Sequence, residues 1–274
     1  MCAIHQPNFF PRLSTLAKLF AADVWVVLDD VQFARRDYQH RARLATLADL
    51  GDRRWLSLAT HLPQGRSTLI RDARLADSAR CLRRTQGLTR QLYGQSPYWP
   101  AVKQVVQRVL ETISTTKSTA VVAEASTSLL LEVVGWPGSV VHSSSLAKRA
   151  GRSTRLVDLA SATHSRTYLC GTGGMSYIDP RTFAAHGISV LPFQAPAISC
   201  PPWSEAKAIS ALWALATVGP ERLRHELLAH ASRTREAPRP AVAGSRFLAR
   251  EAWGTGSMAQ PSRARGATGR LRSP

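Results

Sequence analysis

A-I-H-Q-P-N-F-F-P at 3–11, then a helix-like run, then V-W-V-V-L-D-D at 24–30, is the stretch that decides how this chain is read. A short apolar run ends at His5. A polar, proline-containing turn follows, with His5, Gln6, Pro7, Asn8 and Pro11. Leu13, Leu16, Ala17, Leu19 and Phe20 then recur at helical spacing, and Asp23 precedes a second apolar run that closes on Asp29 and Asp30. The pattern predicts strand, loop, helix, strand, a βαβ unit. In an open parallel sheet ligands sit at the carboxyl ends of the strands. His5, Gln6 and Asn8 follow the first strand; Asp29 and Asp30 follow the second. If the strands are neighbours, both groups face one crevice. Pro7 and Pro11 shape the loop, because proline fixes φ and pushes its predecessor toward extended backbone. Pro11 also suits a helix start, with Asn8 or Ser14 near its amino end. The plainer alternative is a capped turn whose His5 bonds only backbone.

Working outward, 31–44 is a basic segment carrying Arg35, Arg36, His40, Arg41 and Arg43 around Tyr38. Guanidinium groups hold phosphate through paired donors, and a solvated basic loop is the competing reading. A strand-like run follows at 55–60, and a short strand is expected within 67–74. Helical periodicity marks 78–93, 102–113 and 120–134, an all-helical insertion. Strand 139–142 leads to three serines and Lys148, then Gly151-Arg152-Ser153-Thr154, a second candidate phosphate site with Ser153 or Thr154 capping a helix over 154–162. No G-x-x-x-x-G-K sequence is present. A strand at 166–170 runs into Gly171-Thr172-Gly173-Gly174, where glycines let backbone approach a ligand. Cys170 before them reads as a buried strand cysteine. A helix is expected over 181–185, a strand over 188–193, and further helices over 205–218 and 220–231.

The motifs H-Q-P-N-F-F-P and L-D-D-V-Q-F-A-R-R-D-Y-Q-H-R resemble those of the WbqC-like family of bacterial proteins. The likeness is dense over 3–43. It continues more thinly through G-R-S-T-R-L-V at 151–157, Y-L-C-G-T-G-G-M-S-Y-I at 168–178 and S-A-L-W-A-L-A-T-V-G-P-E at 210–221. It marks Gln32, Arg35, Arg41, Gly171 and Tyr177 as matching positions. The chain departs from the family pattern in three places: His40 stands where an Asn is usual, Trp213 where an Asp is usual, and the middle helix reads V-V-A-E-A-S-T without its Asn. The family is associated with O-antigen, other polysaccharide and natural-product gene clusters, so the resemblance implies a biosynthetic, transferase-like role.

The expected architecture is α/β: a Rossmann-like, mostly parallel sheet with helices on both faces, a helical insertion and a disordered basic C-terminal tail. The division is a domain over 1–232 and a low-complexity tail over 233–274. The net charge is +18, supplied largely by arginine; the tail carries +7, leaving +11 before it. Basic charge attracts phosphate on nucleotides, nucleic acid or lipid, although an Ala- and Arg-rich composition accounts for part of it. Cys2, Cys81, Cys170 and Cys200 are scattered, so neither a zinc site nor a disulfide framework is expected. No leader pattern or membrane span is read, and the expected compartment is the cytoplasm.

The leading functional expectation is a transferase acting on an activated, phosphate-bearing, nucleotide-linked substrate. His5, Asp29 and Asp30 are the catalytic candidates. Gln6, Asn8, Gln32, Arg35, Arg41, Lys148, Arg152, Gly171, Gly173 and Tyr177 are the substrate-binding candidates. No metal or cofactor is expected. An aminoacyl-tRNA-dependent or acyl transferase is the first alternative, with tRNA as partner. A non-catalytic nucleic-acid-binding protein is the second, although no helix-turn-helix, zinc finger or RNP motif is found.

Overall fold

A computed structural model describes residues 1–237 of the chain. In chain order the elements are β1 (Cys2–His5), α1 (Leu13–Ala21), β2 (Val24–Val27), β3 (Arg41–Ala45), β4 (Arg53–Ser57), β5 (Thr60–His61), β6 (Arg74–Leu75), α2 (Ser78–Tyr93), α3 (Trp99–Thr115), α4 (Thr119–Val133), β7 (Ser139–His142), α5 (Arg152–Ala162), β8 (Thr167–Gly171), α6 (Thr172–Met175), α7 (Pro180–Ala184), β9 (Ser189–Phe193) and α8 (Ala211–Glu236).

The main sheet has five strands in the order β7-β2-β1-β8-β9, every pair parallel. The chain builds outward from β1 through β2 to β7, then crosses back to lay β8 against the other side of β1. The order therefore reverses between β1 and β8, the switch point at which open α/β sheets bind ligands. That junction is thin. β1 pairs with β2 along its whole length, from Cys2↔Val24 to His5↔Val27. Against β8 the only registered pair is Cys2↔Tyr168. The ladder does not continue to His5 and Gly171, which leaves a gap at the carboxyl ends.

Side-chain alternation sorts the strands onto two apolar layers. Ala3, Trp25, Val27, Leu169, Leu191 and Phe193 join α1, α3, α4 and α8 on one face. Cys2, Ile4, Val26, Tyr168, Cys170 and Val190 join Val157 and Leu159 of α5 and Phe183 of α7 on the other. The helices on both faces and the α2–α4 insertion are as the sequence predicts. The hairpin β3–β4 is not: part of the expected basic loop is strand, with Arg43 opposite Trp55.

Other boundaries also shift. Segment 67–74 forms 3₁₀ turns at Gly65–Ser67 and Ile70–Asp72, with only Arg74–Leu75 extended. Helix α1 starts after Arg12 with no side-chain cap. Gly151, not Ser153 or Thr154, stands before α5, while Ser153 Oγ accepts from the Asp179 N–H at 2.9 Å. The Gly171–Gly174 loop closes into the helical turn α6. The two expected last helices join as α8, whose first helical residue is Ala211 rather than Glu205. Arg233 and Arg235 of the expected tail belong to α8, and Arg235 pairs with Asp23 at 2.8 Å. The expectation of disorder beyond 237 lies outside the described residues.

Helix α8 is kinked at Gly219, with φ 79° and ψ 169°, a conformation essentially confined to glycine. A Cβ there would also lie 2.5 Å from the ring of Tyr98. The Tyr98 ring, from the turn before α3, thus packs directly on α8 at Gly219. Gly219→Ala is expected to destabilise the fold by about 2 kcal/mol or more, from backbone strain and the clash together. Denaturant unfolding with an unchanged m-value checks it. The first turn is held from the insertion as well. Ser126 Oγ accepts from the buried Phe10 N–H at 2.8 Å, and Thr127 Oγ1 donates to Asn8 O at 2.8 Å. Phe10 sits at φ 41°, unusual for a non-glycine residue. Ser126→Ala leaves its N–H without an acceptor and is expected to cost about 1–3 kcal/mol, read in the same measurement.

Candidate functional site

A cavity of about 310 Å³ opens where the β1–β8 ladder stops. Its walls include His5 from β1, Arg12 beside the start of α1, Ser14, Thr15 and Lys18 from α1, Gly171 to Gly174 after β8, and Lys207 from the segment before α8. Its position is the one the topology dictates. Its charge is the informative feature. Arg12, Lys18 and Lys207 are cations, no carboxylate lines the cavity, and none of the three makes a salt bridge among the described residues.

Lys18 is the anomaly. It is the only charged side chain in L-S-T-L-A-K-L-F-A, and it is 5% exposed. Buried ammonium groups ordinarily pair with an acid. Here Nζ lies 3.1 Å from His5 Nδ1. The other imidazole nitrogen, Nε2, lies 3.1 Å from Asn8 Oδ1, and Asn8 Nδ2 donates to Pro7 O at 3.2 Å. That last bond orients the carboxamide, so its oxygen faces the imidazole. A carboxamide oxygen only accepts, so Nε2 carries the proton and Nδ1 presents a lone pair to Lys18. Burial, with help from Lys18 and Arg12, holds His5 well below the ordinary imidazole range despite the bond from Asn8. His5 is therefore neutral. Burial also lowers the Lys18 amine to about 8, with Arg12 adding to the effect and Cys170 opposing it. Burial pushes the Cys170 thiol up, so it stays protonated.

The rim continues outward as a stack. Arg12 lies 4.4 Å over the Tyr38 ring, Tyr38 meets Trp55 at 5.8 Å between centroids, and Arg41 and Arg43 lie 4.4 and 5.5 Å from the Trp55 centroid. Such contacts hold guanidinium planes rigid. Arg12 also donates Nη1 to Lys207 O at 3.1 Å, tying two of the cavity's cations together.

The site residues expected from sequence divide among several places. His5, Gly171 and Gly173 line the cavity. Asn8 orients His5 and is 4% exposed. Gln6 Oε1 accepts from Gln39 Nε2 at 2.8 Å, tying the 31–40 loop to the first turn. Arg41 donates to the carbonyls of Asp37 and Arg36 besides stacking on Trp55. Gln32 donates to Arg66 O. Arg35 lines a separate cavity with His40, Phe33 and Leu62. Arg152 lies 5.4 Å from the centroid of the exposed Tyr177 ring, and neither lines the switch-point cavity.

Asp29 and Asp30 do not meet His5 in one crevice. β1 and β2 are neighbours, yet the carboxylates turn toward the β7–α5 side. Asp29 accepts from Ser143 Oγ at 3.0 Å, from Ser144 N at 3.0 Å and from Ser144 Oγ at 2.6 Å. Asp30 pairs with Lys148 at 2.7 Å and with Arg155. Burial would raise Asp30, but the bonds from Lys148 and Ser143 and the charge of Arg155 outweigh it and hold the carboxyl below its ordinary range. Lys148, expected to bind substrate, is thus an internal partner. The shared pocket read from sequence is corrected to a cationic cavity at β1/β8 and a closed ionic clasp at β2/β7.

Sequence reasoning missed Arg12, Lys18, Lys207 and Arg155. A signal for Lys18 was present: a lone lysine within an otherwise apolar helical run. Arg12 and Lys207 carried none. The three departures from the family pattern spare the cavity. Trp213 is 3% exposed and donates Nε1 to Thr46 O at 3.1 Å; His40 lines the other cavity; V-V-A-E-A-S-T supplies Ser126 and Thr127, which hold the first turn.

The buried amine makes stability depend on pH. Below pH 8 the folded protein carries a desolvated ammonium. Between about 8 and 10.5 the folded form has lost that proton while the unfolded form keeps it, so rising pH stabilises the fold through that window. The full contribution is on the order of 3–4 kcal/mol at most, from about 1.4 kcal/mol per pH unit. Lys18→Met is expected to raise Tm at pH 7 and to flatten the pH profile between 8 and 10.5. Thermal unfolding of both proteins across that range checks it.

A search of curated proteins returned no match, nor did a search of solved structures. The WbqC-like protein family model matches residues 6–224. The match takes in the first turn, the helical insertion, the β8 glycines and Lys207, and over that span the chain belongs to the WbqC-like protein family.

Proposed function

We propose that the chain is a biosynthetic transferase acting on an activated, phosphate-bearing substrate, with the β1/β8 cavity as its site. The observation that carries this reading is the gathering of Arg12, Lys18 and Lys207 around one cavity lined by no carboxylate. Lys18 is taken from water, which is costly for a cation unless something offsets it, while Arg12 is half-buried and Lys207 exposed at the rim. An anionic ligand supplies that offset, and the low-dielectric surroundings strengthen its hold. Arg12 and Lys207 hold the anion. Lys18, whose amine changes protonation near pH 8, is the group suited to exchange a proton with the reacting centre. His5 then acts as a positioning residue for Lys18 rather than as the acid–base group itself. The Arg12–Tyr38–Trp55–Arg41 stack offers an extended part of the substrate, such as a nucleoside diphosphate, a continuation of the same positive surface. The resemblance to proteins of glycan and natural-product clusters suits a donor of that kind.

Calorimetric titration with uridine diphosphate and with inorganic phosphate tests the reading. Arg12→Ala and Lys207→Ala are each expected to weaken binding about tenfold, the loss of one charge-assisted contact of roughly 1.4 kcal/mol. Lys148→Ala, which disturbs the clasp and not the cavity, is expected to leave the affinity unchanged. Equal binding by all three variants would remove the cavity from consideration.

A further inference from the structure

We infer that the Lys18 amine is a nucleophile, and that the cavity accepts an anionic carbonyl compound with which Lys18 forms an imine. The inference rests on the anion-site reading above and extends it from binding to bond formation.

Arginine is this chain's default cation: 31 of the 36 basic side chains are arginine and five are lysine. A guanidinium binds phosphate or carboxylate with two parallel bonds and never gives up its proton. A site built only to hold an anion is better served at this position by a second arginine beside Arg12. Lysine at 18 supplies what arginine cannot, a nitrogen able to lose a proton and present a lone pair.

Pro7 O orients Asn8, Asn8 fixes the His5 tautomer, and His5 Nδ1 accepts one N–H of Lys18 at 3.1 Å. The acceptor is a neutral imidazole, not a carboxylate that would hold the ammonium charged. Arg12 and burial further disfavour the charged form. Desolvation beside other cations is the established way to activate an amine toward carbonyl carbon. The bond to Nδ1 orients Nζ and leaves the lone pair of the neutral amine free for attack.

The step balances without a co-reactant. Nζ attacks the carbonyl carbon and the π pair moves to oxygen. Both amine hydrogens leave with that oxygen as water, and a C=N bond replaces the C=O bond. Arg12 and Lys207 hold the phosphate or carboxylate of the same molecule meanwhile.

The probe is pyridoxal 5′-phosphate, an aldehyde carrying a phosphate, with phosphate-free pyridoxal as a second arm. The full chain is incubated at pH 8, reduced with borohydride, digested, and its five lysines are mapped by mass spectrometry. Lys18 is expected to carry the pyridoxyl group at roughly tenfold or more the level of the exposed Lys103 and Lys117, which line no part of the cavity. Inorganic phosphate is expected to suppress the Lys18 adduct, and pyridoxal to label it less. Lys18→Arg is expected to abolish the adduct while keeping inorganic phosphate affinity within about threefold, since the charge remains. An unlabelled Lys18 in protein that still binds phosphate overturns the nucleophile and leaves the anion site standing. A labelled Lys18 indifferent to phosphate supports the imine and counts against the anion site. Neither labelling nor phosphate binding overturns both.

Discussion

A buried lysine whose hydrogen-bond partner is a neutral imidazole is an expensive arrangement, and much of the amino-terminal structure is spent on keeping it. Pro7 orients Asn8, Asn8 fixes the proton on His5, and His5 receives Lys18. Each link needs the one before it. The Asn8 carbonyl is in turn held by Thr127, and the Phe10 N–H by Ser126. Trp25 Nε1 donates to His5 O at 3.1 Å, anchoring the backbone from the next strand. The H-Q-P-N turn is therefore a positioning device. His5 and Asn8 face one another, Gln6 reaches out to Gln39, and the amine that His5 orients in the cavity comes from the following helix.

The two ends of the β1/β2 pair have opposite electrostatic characters. On the β8 side, three cations gather with no acid among them. On the β7 side, Asp29 and Asp30 are satisfied by serines, Lys148 and Arg155. The closed set binds the loop after β7 to the loop after β2 and fixes the sheet's outer half. The open set has no acidic partner among the described residues. The difference follows from composition and topology together: with twice as many basic as acidic residues, surplus cations must stand somewhere, and the switch point is where the sheet leaves room for a ligand.

Much of the fold was legible. Apolar runs at β1 and β2, helical periodicity in α2 to α4, and punctuation by glycine and proline gave the layers, the insertion and most boundaries to within two or three residues. The β3–β4 hairpin was not, because R-A-R-L-A reads as a basic loop until Trp55 is seen opposite Arg43. The site was legible in part. His5, Asn8, Gly171 and Gly173 were found because polar groups and glycines after strands are conspicuous. Lys18 was passed over although it is the lone charge in an apolar helical run, because the packing that buries nearly every side chain of that helix comes from distant parts of the chain. Asp29 and Asp30 were placed correctly along the chain and assigned to the wrong side of it. Which flank a carboxylate turns to depends on the partners it finds, and those lie more than a hundred residues away at Ser143 and Arg155.

The single registered pair between β1 and β8 gives the sheet a seam. Strands β7, β2 and β1 form one leaf, joined by full ladders, and β8 and β9 form the other. Parting the leaves at their carboxyl edge breaks no ladder beyond Cys2 and Tyr168, and a backbone bond there is worth about 1 kcal/mol net. A group lying between the leaves at their carboxyl edge therefore displaces no registered strand pair there.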